Sequence, residues 1–335
     1  MSNFKSFFYY LLVACIFLLI GWFANVAYHL PKNSNPIAQI KPTPLLKYTI
    51  ENLSKDLFKP SVIEVGSVLK DNSAYTSYKF AMKFSPDLSE NLKTTSGMIN
   101  IPKGNGPFPV IVMYRGYVDQ KTYMIGEGTS PSASIFAQNG FITIAPDFLG
   151  YGESSSESGN IFESRFQTYV TAATVLKSVS SIKQWDGKNV FIWGHSNGGQ
   201  IALTTLEITG VTYPTVLWAP VTRPFPASIL YYIDEADDGG RLIIGKLSEF
   251  NETYDASKFS LTGYLDKIKA PIELNQGTAD ISVPYWWSDT FVKTFKNGGG
   301  VITYVKYPGA NHNLVPSWGQ AVENSTSFYR SHLIK

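Results

Sequence analysis

The sequence predicts an α/β protein built on a mostly parallel, doubly wound sheet with antiparallel strands at its start. Three observations lead there. Short apolar runs alternate with helix-length segments over residues 109–332, as they do where crossover helices join parallel strands. Ahead of them, residues 61–101 hold three runs rich in β-branched and aromatic side chains, which read as antiparallel strands. Finally, Gly194-His195-Ser196-Asn197-Gly198 sits between an apolar run and a helical one. Composition agrees: of 335 residues, 44% are hydrophobic and 14% aromatic, enough for a large core.

The chain opens with 23 uncharged residues, 6–28, reading SFFYYLLVACIFLLIGWFANVAY. As a helix they would span about 34 Å, and a bilayer core is about 30 Å thick. Residues 1–30 are therefore expected to form a single transmembrane anchor, with its helix over about 6–28. Tyr9, Tyr10, Trp22 and Tyr28 sit near its ends, where amphipathic rings favour the interface. The catalytic part would then be extracytoplasmic and tied to the membrane through this helix. A cleaved signal peptide, a lipoprotein lipidated at Cys15 and a buried core helix are the alternatives. The first 50 residues carry four Lys and no acid, so a net +2 chain divides into a +4 leader and a −2 remainder. Pro31, Pro36, Pro42 and Pro44 then mark residues 31–47 as a semi-rigid linker.

The folded domain is expected over 48–335. Residues 61–69, 74–84 and 96–101 supply its antiparallel strands. Residues 109–114, 142–146, 190–193, 215–218, 272–275 and 302–306 are short apolar runs of the kind expected for strands buried on both faces. Helices are expected over 132–138, 165–182, 198–208, 286–296 and 318–332. Residues 221–268 interrupt the alternation and read as a small cap. It carries several aromatic residues and the acidic run Asp234-Glu235-Ala236-Asp237-Asp238. That run reads as a solvated turn, with binding of a substrate ammonium as the alternative.

Composition narrows the chemistry. A near-zero net charge without basic clusters gives no footprint for nucleic acid. One cysteine makes no internal disulfide, and four histidines leave little for a metal site. No cofactor is expected. The G-x-S-x-G segment is different: between strand and helix it lifts a serine hydroxyl above the sheet edge. A serine needs an adjacent base, and the histidine count makes that choice narrow. His29 adjoins the leader, His332 is near the C-terminus, and His195 precedes Ser196 with its ring expected to point elsewhere. His312 remains, in the loop after the last strand, where an open α/β sheet places its site. Asp280, after the strand at 272–275, is the orienting carboxylate, ahead of Asp234, Glu235 and Asp237. Backbone N–H groups of Asn197 and Tyr117 are the expected oxyanion donors.

From about Tyr48 onward the chain resembles the α/β-hydrolase superfamily, and more closely the catalytic domain of the prolyl oligopeptidase (S9) family. The matching pieces are Arg115-Gly116-Tyr117, the 147–154 segment DFLGYGES, the 194–199 elbow, Gly277–Asp280 with Pro284, and the 309–312 segment. The resemblance implies a serine hydrolase with Ser196, Asp280 and His312 as its triad, working through an acyl-enzyme. A peptidase acting on small peptides is the expected activity. A carboxylesterase acting on small esters is the alternative, and an inactive binding module is a third. Many S9 peptidases carry an N-terminal β-propeller, which needs about 300 residues. About 60 lie between Tyr48 and the first parallel strand, so no propeller gating and no peptide specificity are carried over.

Overall fold

The computed structural model describes residues 2–29, 42–56 and 58–335. They fall into two units, Met1–Pro42 and Thr43–Lys335. The first holds α1, Ser2–His29. The expectation of a transmembrane helix is corrected here: among the described residues, no helix is long and apolar enough to cross a membrane. Cys15 on α1 is a free, exposed thiol. Most of the expected linker, residues 31–41, lies outside the described residues. Its last part is folded: Pro44–Tyr48 form a 3-10 turn with Leu45 and Tyr48 buried. Helix α2, Ile50–Leu53, follows, capped by Thr49 Oγ1 accepting from the Asn52 N–H.

The second unit is built on nine strands: β1 (Glu64–Asp71), β2 (Tyr75–Phe84), β3 (Lys93–Pro102), β4 (Phe108–Tyr114), β5 (Ile142–Pro146), β6 (Trp185–His195), β7 (Thr215–Trp218), β8 (Ile272–Gly277) and β9 (Ile302–Tyr307). They lie in the order β1-β2-β3-β5-β4-β6-β7-β8-β9. The first three and the β3–β5 pair are antiparallel; every pair from β5–β4 to β8–β9 is parallel. The edge strand β1 is exposed along its whole length, and its register with β2 slips twice.

Helices cover both faces because both faces of the central strands are apolar. On β4, Val110, Val112 and Tyr114 join one core with Phe166 and Val170 of α4 (Ile161–Ser178) and Leu203 and Leu206 of α5 (Asn197–Thr209). Ile111 and Met113 point the other way. They pack with Phe136 of α3 (Ser130–Gln138) and Ala321 and Tyr329 of the C-terminal helix. The period-2 alternation of strand side chains thus buries both sets. Helix α4 begins four residues before its expected start, where the Asn160 side chain accepts from the Phe162 and Glu163 N–H groups. It ends at Ser178, giving way to a 3-10 turn over Val179–Ser181.

Between β7 and β8 the chain forms α6 (Ala227–Leu230), α7 (Arg241–Asn251) and several 3-10 turns. Helix α8 (Tyr285–Asn297) follows β8, and α9 (Trp318–Ser331) follows β9.

Candidate active site

The site assembles where β4, β6, β8 and β9 end. At the end of β6, Ser196 adopts φ 57° and ψ −122°, a conformation that side-chain-bearing residues rarely hold. Its backbone is pinned there: its N–H donates to Trp218 O at 2.9 Å, and its carbonyl accepts from the Gly199 and Val221 N–H groups. The turn needs glycine at 198, because a Cβ there would strike the carbonyls of Tyr114 and Arg115. Gly116 is equally constrained, since its Cβ would come within 2.9 Å of Ser196 Cβ. The loop after β4 therefore lies directly against the serine.

This contact brings together the two expected oxyanion donors. Asn197 is the first residue of α5, so no residue of that helix accepts its N–H. Among the described residues, no hydrogen bond takes the Tyr117 N–H either. Tyr117, Gly116 and Asn197 line one cavity of about 150 Å³, with Phe148, Tyr151 and Ile201 completing its apolar side. The Tyr117 side chain stands 82% exposed, so the backbone, not the phenol, is the fixed element.

Arg115 fixes the loop from beneath. It is buried, donating from Nη1 to Gly116 O at 3.0 Å and from Nη2 to Asp147 O at 2.8 Å. Its guanidinium lies 3.9 Å from the Tyr151 ring centre and 4.9 Å from that of Tyr123. The Asp147 carboxyl, fully buried, accepts from Ser96 Oγ and Tyr123 Oη at 2.5 and 2.6 Å. Burial pushes its pKa up, partly offset by those two donors.

The acid and histidine loops form a second assembly. Asp280 Oδ1 accepts from the Ser282 and Val283 N–H groups at 2.9 and 2.8 Å. Its Oδ2 accepts from Gln276 Nε2 at 3.0 Å and faces His312 Nδ1 at 2.8 Å. With every lone pair directed, the carboxylate holds one orientation and sets the tautomer of His312. The two loops are stapled by Ala279 N–H to Ala310 O at 2.9 Å and Gly309 N–H to Thr278 Oγ1 at 2.9 Å. Asp234, Glu235 and Asp237 make no ion pair or hydrogen bond with His312.

His195 joins the two assemblies. Contrary to the expectation that its ring points elsewhere, Nε2 lies 3.1 Å from the His312 carbonyl oxygen, and the two rings are 4.7 Å apart. Burial, then the neighbouring His312, lowers its pKa to about 4. It is neutral above that pH, and its Nε2–H donates to His312. Ser196 Oγ makes no hydrogen bond to His312 in this structure; in substrate-free sites such contacts are often long. Sequence reasoning missed both His195 and Gln276. The signal for Gln276 was an amide at the end of a buried strand, although Glu273 and Asn275 on the same strand share that polarity.

A strained serine on a strand–helix turn, an acid-oriented imidazole after the last strand, and two free amides define a serine hydrolase of the α/β-hydrolase superfamily. Within it, residues 128–334 match the model of the prolyl oligopeptidase family, and the chain belongs to that family. Among curated proteins it is similar to acetyl esterase Axe7A of Xylanibacter ruminicola, 23% identical over 216 residues, which are 56% of this chain and 46% of that protein. It also matches an uncharacterized 31.7 kDa protein of Escherichia coli, 27% identical over 33% of this chain and 36% of that one. These matches span less than half the length of either relative.

Among solved structures, acetyl xylan esterase 1 from a Thermoanaerobacterium species aligns with a TM-score of 0.62 at 16% identity, over 86% of this chain and 94% of that one. A puromycin-hydrolyzing peptidase of Mycobacterium tuberculosis aligns with a TM-score of 0.55 at 16% identity, over 83% of this chain and 40% of that one. Likeness at these identities is a likeness of fold.

Proposed function

We propose that this chain hydrolyses esters of small acyl groups through an acyl-enzyme on Ser196. His312 Nε2 takes the hydroxyl proton as Oγ attacks the carbonyl carbon. Asp280 holds the imidazole and stabilises its charged form. The N–H groups of Tyr117 and Asn197 receive the developing oxyanion. Collapse expels the alcohol, which takes the proton from His312; water, deprotonated by the same imidazole, then releases the acid.

One observation carries the small-acyl reading. The cavity beside the two amides has about 150 Å³, whereas pockets for drug-sized ligands run to about 300–1,000 Å³. An acetyl or butyryl group suits that volume. The acetyl esterases among the relatives support the same choice. Family membership supports the other reading, cleavage of small peptides.

Matched substrates test it. Activity on 4-nitrophenyl acetate and butyrate is expected, falling steeply for the octanoate, with aminoacyl and prolyl 4-nitroanilides turned over far more slowly. Turnover of the anilides alone would overturn the ester reading in favour of the peptidase.

A further inference from the structure

Among the described residues, Arg115 is the only lysine or arginine that is buried, at 6% exposure. It forms no ion pair, and its Nε has no partner. Burying a permanent charge on those terms is costly. A rule broken beside a nucleophile marks a task there rather than a packing need.

The two bonds it does make identify the task. Nη2 donates to Asp147 O, and the rings of Tyr151, Tyr123 and Phe148 lie 3.9, 4.9 and 5.6 Å from the guanidinium, so the fork is held in place. Nη1 donates to Gly116 O at 3.0 Å. That carbonyl and the Tyr117 N–H are the two polar groups of one peptide unit. The unit is planar and trans, so its C=O and N–H point to opposite sides. With the carbonyl on the guanidinium, the N–H is turned away from it.

The nucleophile lies against the same unit. A Cβ on Gly116 would stand 2.9 Å from Ser196 Cβ and 3.5 Å from Ser196 Oγ, and Tyr117 shares its cavity with Asn197. Among the described residues, no other hydrogen bond reaches the Gly116 carbonyl or the Tyr117 N–H. Glycine leaves the flanking backbone free to turn, and the Tyr117 side chain is exposed. Without Nη1 the unit is free to rotate, and a half-turn would present an acceptor where the oxyanion requires a donor. We infer that Arg115 is a positioning residue that acts through the Tyr117 N–H, holding the peptide so that this donor faces the oxyanion. The inference rests on acyl transfer at Ser196 and adds what holds its second donor.

A double-mutant cycle with 4-nitrophenyl acetate tests it. Arg115→Met should lower kcat about 10²–10³-fold, the worth of one oxyanion donor, with KM within about threefold of the unaltered protein's. Arg115→Lys, which keeps the charge but not the fork, should lose about tenfold. Tyr117→Pro removes the N–H itself, so adding Arg115→Met to it should cost no more than about a further twofold. A role in stability alone would multiply the two losses. Arg115→Met with kcat within about threefold of the unaltered protein's, or losses that multiply, would overturn the inference. Circular dichroism checks the fold of each variant. Should Arg115→Met fail to fold, Arg115→Lys replaces it in the cycle: a loss absorbed by Tyr117→Pro supports the role, and no loss or a multiplied one overturns it. The same cycle is read from rates of fluorophosphonate labelling, in which Ser196 Oγ displaces fluoride from phosphorus and His312 takes the hydroxyl proton. If the acetate ester is not turned over, the ester reading fails, and the labelling rates still decide the role of Arg115.

Discussion

His195 Nε2 sits 3.1 Å from the backbone carbonyl of His312, so a residue of the nucleophile turn holds the loop of the proposed base. The bond needs a proton on Nε2, and burial keeps the ring neutral down to about pH 4. In the unfolded chain an imidazole protonates near pH 6.5. The folded pKa is depressed, so this contribution is complete above about pH 6.5 and is lost as pH falls towards 4, amounting to about 3 kcal/mol. Urea unfolding from pH 7 to pH 4.5 should show that decline, and His195→Gln should flatten it. Parallel acid slopes for the two proteins would count against this role.

The triad assignment predicts unequal losses. Ser196→Ala should lower kcat by about 10⁵–10⁶ and Asp280→Asn by about 10⁴, with both proteins folded by circular dichroism. A fluorophosphonate probe should label the unaltered protein and not Ser196→Ala. Labelling that persists in the alanine variant would place the nucleophile elsewhere.

Ser196 also stores strain, at φ 57°. Ser196→Gly should abolish activity like the alanine variant, yet raise stability over it by about 1–2 kcal/mol, because only glycine tolerates that conformation at little cost. Thermal melts of the two variants decide this; equal melting temperatures would mean the turn is not strained.

The proposed second oxyanion donor is a backbone amide, which separates two substitutions at one position. Tyr117→Ala keeps the N–H and should retain kcat within about tenfold, whereas Tyr117→Pro removes it and should cost about 10²–10³. A comparable loss in both would shift the role to the phenol.

Glu207, on α5, is 1% exposed, and neither carboxyl oxygen has a hydrogen-bond partner. Burial, and then Asp266, raise its pKa well above the usual carboxylate range. Folding therefore favours its protonated form, and stability falls as pH rises beyond the unfolded value. Glu207→Met should stabilise the chain by about 1–3 kcal/mol at pH 8, and by less at pH 4.5. Denaturant titrations at the two pH values measure this, and a destabilised variant at pH 8 would refute it.

Much of this molecule was legible before any coordinates. The apolar runs ending at Tyr114, Pro146 and Trp218 became strands because burial on both faces leaves no room for polar alternation. The serine, the acid and the imidazole were legible because a strand–turn–helix junction and scarce histidines are local facts. What escaped notice depends on distant chain segments. His195 faces His312 only because β6 and the loop after β9 end side by side. Arg165 reaches Gln200 only because α4 packs on α5. The start of α4 did carry a signal, Asn160 as cap. The Ser- and Gly-rich residues before it hid that signal, as they read equally well as loop. The transmembrane reading took an apolar composition for a span, whereas among the described residues no helix is long and apolar enough to cross a membrane.

The exposed first strand has a bearing on how copies of this chain meet. A sheet that ends in a free row of N–H and C=O groups offers other chains a template to extend. Here the row is broken, because the register of β1 slips between Val65 and Val68 and again between Val68 and Lys70. Glu64, Lys70 and Asp71 place charges along the same strand. An incoming strand would find neither a regular ladder nor a neutral surface. The irregular border thus guards a nine-stranded sheet against growing by recruitment, and crowding should favour separate molecules over fibres.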